Sequence, residues 1–340
     1  MNKNATRAIF LLFVLFFVFS FRIVYTADAV SARSVYIGGF PITVDMENRG
    51  AIVVGEQYDE NNFPYSILRN PPLKRGDIIT AIDNKQVVSI SDVDNIMAGN
   101  TDGKDVVVSY KRGMNAEMCT VYPVREECSG KYKLGYWLKD KIFGLGTVTF
   151  LCENKVFAAL GHSIIDDETG VKFDCLSGSV YECKLIGVEK GKSGQPGRLK
   201  GKCVNCMYPK GALAANDNVG LYGRYTGDIS SNGKYEIASS SEVKIGGAKI
   251  MSTVENNPQL FDIEIVRAFK QNHSSEKGMV IKIIDQKLLS LTGGIVQGMS
   301  GSPILQGGKI VGAVTHVFTN NPTMGYAVYS EWMLERAKSI

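Results

Sequence analysis

Near the carboxyl end, Gly298-Met299-Ser300-Gly301-Ser302-Pro303 sets a serine between two glycines, with apolar runs on either side. A serine hydroxyl at its ordinary pKa attacks a carbonyl poorly, so chemistry at Ser300 requires an adjacent base and N–H donors facing the developing oxyanion. Glycine reaches φ > 0 and lets backbone approach a substrate closely, which allows the N–H groups of Gly298 and Ser300 to converge on one oxygen. The candidate bases are His162, His273 and His316. His162 follows an apolar stretch and Gly161, where a strand end exposes a base at the rim of a barrel. His273 lies in the polar run 271–276, and His316 lies inside an apolar strand pattern. His162 is therefore the expected base. A third member would orient the imidazole and stabilise its protonated form. Asp166, Asp167, Asp174, Asp217, Asp262 and Asp285 all fall between His162 and Ser300, and composition does not choose among them.

These side chains need a scaffold, and the composition points to β-structure. A chain of 340 residues is comfortable as two domains, and 36 glycines favour many turns. The net charge of +4 comes from 38 basic and 34 acidic residues, a balance that argues against a nucleic-acid partner. Seven cysteines are an odd number, so at least one is free or pairs between chains. Cys203 and Cys206 form the only Cys-x-x-Cys, without a second pair to complete a zinc site, so no metal or other cofactor is expected.

The first residues differ from the rest. Lys3 and Arg7 precede an apolar run from Ala8 to Phe21, and Ala27-Asp28-Ala29 suits a signal peptidase, so residues 1–29 read as an export signal or membrane anchor. The body of the chain is then expected outside the cytoplasm.

From Val35 to Val124, apolar runs at 51–54, 77–82, 106–110 and 118–124 alternate with turns, and Ser91 reads as the N-cap of one short helix. Beyond the polar stretch 126–132, short strand patterns recur at 146–152, 156–160, 181–188, 219–225, 242–248, 261–268, 279–284, 309–317 and 325–329. Many short strands with glycine turns over this length predict a barrel or a pair of barrels.

Two resemblances sharpen this reading. Leu73-Lys74-Arg75-Gly76-Asp77-Ile78-Ile79-Thr80-Ala81-Ile82-Asp83-Asn84-Lys85 resembles the Gly-Asp signature of PDZ domains. That likeness implies a PDZ domain at 33–125 that adds a peptide tail to a sheet edge, with Gly39, Phe40 and Ile42 in the carboxylate-binding loop. Pro41 departs from the pattern because proline has no N–H to donate.

The run Val280-Ile281-Lys282-Ile283-Ile284-Asp285, followed by Thr292-Gly293-Gly294-Ile295-Val296-Gln297-Gly298-Met299-Ser300-Gly301-Ser302-Pro303, is similar to the SpoIVB (stage IV sporulation protein B) peptidase family. Ala159-Leu160-Gly161-His162 and Ala313-Val314-Thr315-His316-Val317 share the likeness. It implies a mainly β chain: an anchor, a PDZ domain, then a chymotrypsin-like double β-barrel peptidase at 130–340. It further implies His162, Asp285 and Ser300 as the catalytic set, with Gly298 and Ser300 as the oxyanion hole. The implied biology is a sporulation signalling protease of the forespore intermembrane space. Such an enzyme cleaves its own amino-terminal region and a membrane-bound regulator of an intramembrane protease. Asp285 precedes Ser300 by only fifteen residues, whereas trypsin-like folds usually carry this aspartate between the barrels, which keeps Asp217 and Asp262 open. A quality-control protease with a PDZ domain and a catalytically silent peptide-binding scaffold are the alternatives, although the former places its peptidase before the PDZ domain.

Overall fold

The structure, a computed structural model, describes residues 33–57, 72–126, 128–229 and 231–340. The expected signal or anchor at 1–29 lies outside the described residues, and no described helix is long and apolar enough to cross a membrane.

The chain is mainly β, and two rings of six antiparallel strands form its centre. The first ring runs through Pro41–Glu56, Tyr136–Leu151, Val156–Ala159, Gly220–Tyr225, Gly211–Asp217 and Cys175–Glu189, the last pairing back onto the first. The second runs through Gly246–Ser252, Gln259–Ala268, Met279–Ile283, Asn321–Tyr329, Lys309–Phe318 and Pro303–Gln306, which closes on Gly246–Ser252. Alternation explains the interiors: in Gln259–Ala268, Phe261, Ile263 and Ile265 are buried while Asp262 and Glu264 are exposed. Closing each sheet leaves no free edge inside a barrel. This is the expected double barrel.

Between the barrel strands sits a third core, built from Ala51, Val53, Ile79, Ile82, Val93, Met97, Val108, Leu134 and Tyr136. It holds the strands Ile78–Ile82, Val106–Arg112 and Asn115–Val121 and the helix Ile90–Ala98, and it is the PDZ domain. The helix begins two residues before the expected start. Asp92 accepts from the Ser89 N–H at 2.9 Å and Ser89 Oγ accepts from Asp92 N at 3.3 Å, a capping box that makes Ser89, not Ser91, the cap.

The strand pairing divides the chain differently from the expected 33–125 and 130–340. Residues 41–47 pair with the barrel strands Tyr136–Leu151 and Cys175–Glu189, whereas Ala51 and Ile52 of the same strand pair with Ile79 and Ile78 of the PDZ domain. The PDZ domain is thus an insertion in the first barrel, entered and left along two long strands. One consequence is a correction: Gly39, Phe40 and Ile42 do not form a carboxylate-binding loop. The Gly39 N–H donates to Val148 O at 2.7 Å, Phe40 O accepts from Val148 N at 3.1 Å, and Ile42 pairs with both Gly146 and Glu182. These groups are spent on the barrel. Nothing in the apolar pattern of 41–56 marks where one sheet ends, because the strand does not break.

Within the PDZ core, Asp77 is 1% exposed and its carboxylate is held by Arg112 through Nε at 2.8 Å and Nη2 at 2.7 Å. Arg112→Met is expected to strand a buried carboxylate and to destabilise the fold by about 3 kcal/mol, read as a lower midpoint in urea. An unchanged midpoint would show that water reaches Asp77 freely.

Candidate active site

The helix Gln286–Thr292 ends at Gly293 in the left-handed conformation (φ 74°), and the chain then turns through 294–302 beside the first barrel. Barrel threonines hold this turn. Thr147 donates its N–H to Ser300 O at 3.0 Å and its hydroxyl to Gly298 O at 2.8 Å, and Thr149 Oγ1 donates to Gly301 O at 2.7 Å. Gly298 and Gly301 both sit at φ 94°, a conformation that favours glycine. The N–H groups of Met299, Gly301 and Ser302 are bound to Val296, Val314 and Met299 carbonyls. Those of Gly298 and Ser300 have no hydrogen-bond partner among the described residues. Free N–H groups in a packed turn are uncommon, and here they flank the nucleophile, which fits donors reserved for an oxyanion. Ser300 Oγ itself donates to Thr315 O at 2.8 Å.

His162 arrives from the first barrel. The strand Val156–Ala159 ends, Leu160 and Gly161 adopt positive φ (67° and 74°), and the chain reverses to present the imidazole. Its Nδ1 lies 2.8 Å from Ser163 O; a carbonyl can only accept, so Nδ1 carries the proton and Nε2 keeps its lone pair. His162, Ser300, Gly298, Thr315 and His316 line one cleft of about 790 Å³, with Leu145, Leu160, Leu199, Ile295 and Val317 as apolar walls and Asp167 and Arg198 as its charged groups. The walls suit an extended peptide with apolar side chains.

Burial pushes the His162 pKa below the ordinary histidine value. The Ser163 carbonyl and the Glu276 carboxylate oppose this, and His316 adds to it. A base must be neutral to act, so activity is expected to hold as pH falls through 6.5 and to drop only below it. A kcat/KM profile on a fluorogenic peptide checks this; an acidic limb centred above 6.5 would contradict it.

The structure brings His162 and Ser300 to one cleft and leaves Asp285 elsewhere. Asp285 caps the helix Gln286–Thr292, accepting from Leu288 N at 2.9 Å and from Asp262 N at 3.2 Å. With Asp262 it lines a separate cavity of about 760 Å³. Asp217 is paired with Arg336 at 2.5 Å and Asp262 with Lys249 at 2.5 Å, and neither lines the His162 cleft. His273 is exposed on its loop.

Two features escaped the sequence reading. The first lies against His162: His316 stacks on it with ring centroids 4.7 Å apart, and Glu276 Oε2 approaches His316 Nε2 at 3.3 Å. The second is a strand edge in the PDZ domain. Residues 136–139 pair on one side with residues 52–56, and the other side faces the helix Ile90–Ala98 without a strand partner among the described residues. Leu134 and Tyr136, each 4% exposed, flank Gly135 at φ 81°, an apolar-glycine-apolar turn at the head of that edge. Ile90 N donates to Asp140 at 2.7 Å and Lys133 bridges to Asp94 at 2.8 Å, fixing the helix beside it.

Comparisons with known proteins add the following. A family described as SpoIVB peptidase S55 matches residues 130–334. No curated protein matches the chain. Among solved structures, the PDZ domain of an SdrC-like protein from Listeria monocytogenes is 22% identical, covering 26% of this chain and 87% of that one at a TM-score of 0.22. An HtrA-type protease, AlgW, solved with a decapeptide, is 11% identical, covering 62% of this chain and 53% of that one at a TM-score of 0.34. A human heparin-binding protein is 9% identical, covering 58% and 84% at a TM-score of 0.30.

Proposed function

The chain belongs to the SpoIVB peptidase S55 family and is a serine peptidase, and from that premise we propose that Ser300 is its nucleophile and His162 its general base. The N–H groups of Gly298 and Ser300 are the oxyanion donors. One observation carries this assignment: Ser300, His162 and the only two unbound N–H groups among residues 298–302 of the nucleophile turn meet in a single cleft. In the resting arrangement the Ser300 hydroxyl is turned to Thr315 O. Substrate entry frees it by rotation about the Cα–Cβ bond, and His162 Nε2 takes the proton as Oγ attacks the peptide carbonyl. The oxyanion accepts from Gly298 and Ser300, and His162 then returns its proton to the departing amine. Water repeats the sequence on the acyl-enzyme.

The finer reading is a sporulation signalling protease, exported or anchored through residues 1–29, that cleaves a membrane-bound regulator of an intramembrane protease and its own amino-terminal region. The family and the basic-then-apolar start of the sequence support it. Peptide tails dock on the PDZ strand edge 136–139, which has no second strand partner among the described residues, lies beside a helix and has Leu134-Gly135-Tyr136 at its head. Mass spectrometry of the amino terminus of the secreted chain tests self-cleavage. The wild-type terminus should lie beyond Ala29 and differ from that of Ser300→Ala; identical termini would remove self-cleavage from the proposal.

A further inference from the structure

His162 needs a group that fixes its ring and offsets its positive charge when protonated, and of the candidate aspartates between it and Ser300 only Asp167 lines its cleft, with no hydrogen bond to the ring among the described residues. What does stand there comes from two elements of the second barrel. His316, on Lys309–Phe318, lies over the His162 ring at 4.7 Å between centroids with the planes 33° apart. Glu276, on the loop before Met279–Ile283, puts Oε2 3.3 Å from His316 Nε2. The Glu276 main chain is tied to the same strand, its carbonyl accepting from Thr315 Oγ1 at 3.1 Å. His316 Nε2 is fully buried and its contact with Glu276 is off line for a hydrogen bond. A buried ring nitrogen left in that state is uncommon away from functional sites.

Resting on the serine-peptidase reading, we propose that His316, with Glu276 behind it, is the positioning pair for His162 and fills the role that the family resemblance gives to Asp285. The stacked ring limits rotation of His162, whose Nδ1 is already held by Ser163 O. The carboxylate supplies the negative charge that the imidazolium requires as Ser300 is deprotonated. The other charged groups near His162 are Asp167 and Arg198 in the cleft, with Lys277 beside Glu276. Asp285, as the cap of the helix leading into the nucleophile turn, acts on the fold rather than on His162.

The test follows phosphonylation of Ser300 by a peptidyl fluorophosphonate across pH, with melting temperature measured in parallel. In this reaction Oγ bonds to phosphorus, fluoride departs and the serine proton passes to His162. His316→Ala is expected to slow labelling at saturating probe by about 10- to 100-fold with half-saturation within about threefold of wild type. Glu276→Gln is expected to slow it by about tenfold and to move the acidic limb to lower pH, because a carboxylate that raises the His162 pKa is gone. Asp285→Asn should lower labelling by less than about tenfold, with at most a small fall in melting temperature, because the amide oxygen keeps the cap and only the acceptor for the Asp262 N–H is lost. Wild-type protein that is never labelled at Ser300 would end the peptidase reading itself. Labelled wild type with both His316→Ala and Glu276→Gln within twofold and an unmoved acidic limb would overturn the pair alone. So would Asp285→Asn falling more than about 100-fold at an unchanged melting temperature.

Discussion

Ser300→Ala is expected to lower kcat for peptide hydrolysis by about 10⁴- to 10⁶-fold, to a floor set by the remaining oxyanion donors and substrate binding. The substitution removes one oxygen that sits at a cleft and donates only to Thr315 O, so the fold should tolerate it. Ser302 is the natural contrast within the same turn. Its hydroxyl is buried and donates to Ser252 Oγ at 3.1 Å, away from His162. Ser302→Ala should cost about 1 kcal/mol of stability and keep most of the turnover. Steady-state kinetics on one fluorogenic peptide, with urea midpoints for both variants, separates the two roles. If both serines reduced kcat alike, the turn would be acting as a structural unit, and the nucleophile assignment would fall with it.

What could be read from the sequence follows from what kind of signal each feature carries. Ser300 and His162 were legible because their surroundings are local: glycines at 298 and 301 announce a positive-φ turn, and Gly161 marks a strand end. The two barrels were legible from alternation, which holds along strands such as Gln259–Ala268. The PDZ boundary was not, since residues 41–56 form one unbroken strand serving two sheets, and only its partners reveal the change. Gly39 showed the same limit: its φ of 86° is real, but the reason is a close approach to Met251 and Val148 in the barrel rather than a peptide carboxylate. The placement of His316 and Glu276 against His162 was invisible for another reason. Their relation to His162 is made by packing between barrels, across more than 100 residues of sequence.

The strand Tyr136–Leu151 ties these features into one chain of contacts. Its first residues form the open PDZ edge, Leu145 lines the cleft, and Thr147 and Thr149 grip the turn that carries Ser300. A domain inserted through such a strand has no flexible tether to the catalytic unit. Occupancy of the edge and geometry of the turn therefore share a rigid element, and the turn's tolerance for movement becomes the deciding quantity.

That tolerance is small, and Gly301 measures it. At φ 94° a side chain is strained by about 1–2 kcal/mol before any contact is considered. A Cβ at this position would stand 2.1 Å from Thr147 O and 2.5 Å from Leu160 N, both backbone atoms, and Thr147 O is the acceptor for Leu160 N. Neither can swing aside as a side chain would, so the turn or the barrel must shift, at a further cost of about 1–3 kcal/mol. Gly301→Ala is therefore expected to lose about 2–5 kcal/mol in urea unfolding and nearly all hydrolysis, because the same shift carries Ser300 away from His162. Gly307 supplies the comparison. It also has positive φ, at 59°, but a Cβ there meets nothing within 4 Å, so Gly307→Ala should cost only about 1 kcal/mol and leave kcat near wild type. Equal losses in the two variants would mean that backbone conformation alone, not the grip of the barrel on the nucleophile turn, sets the position of Ser300.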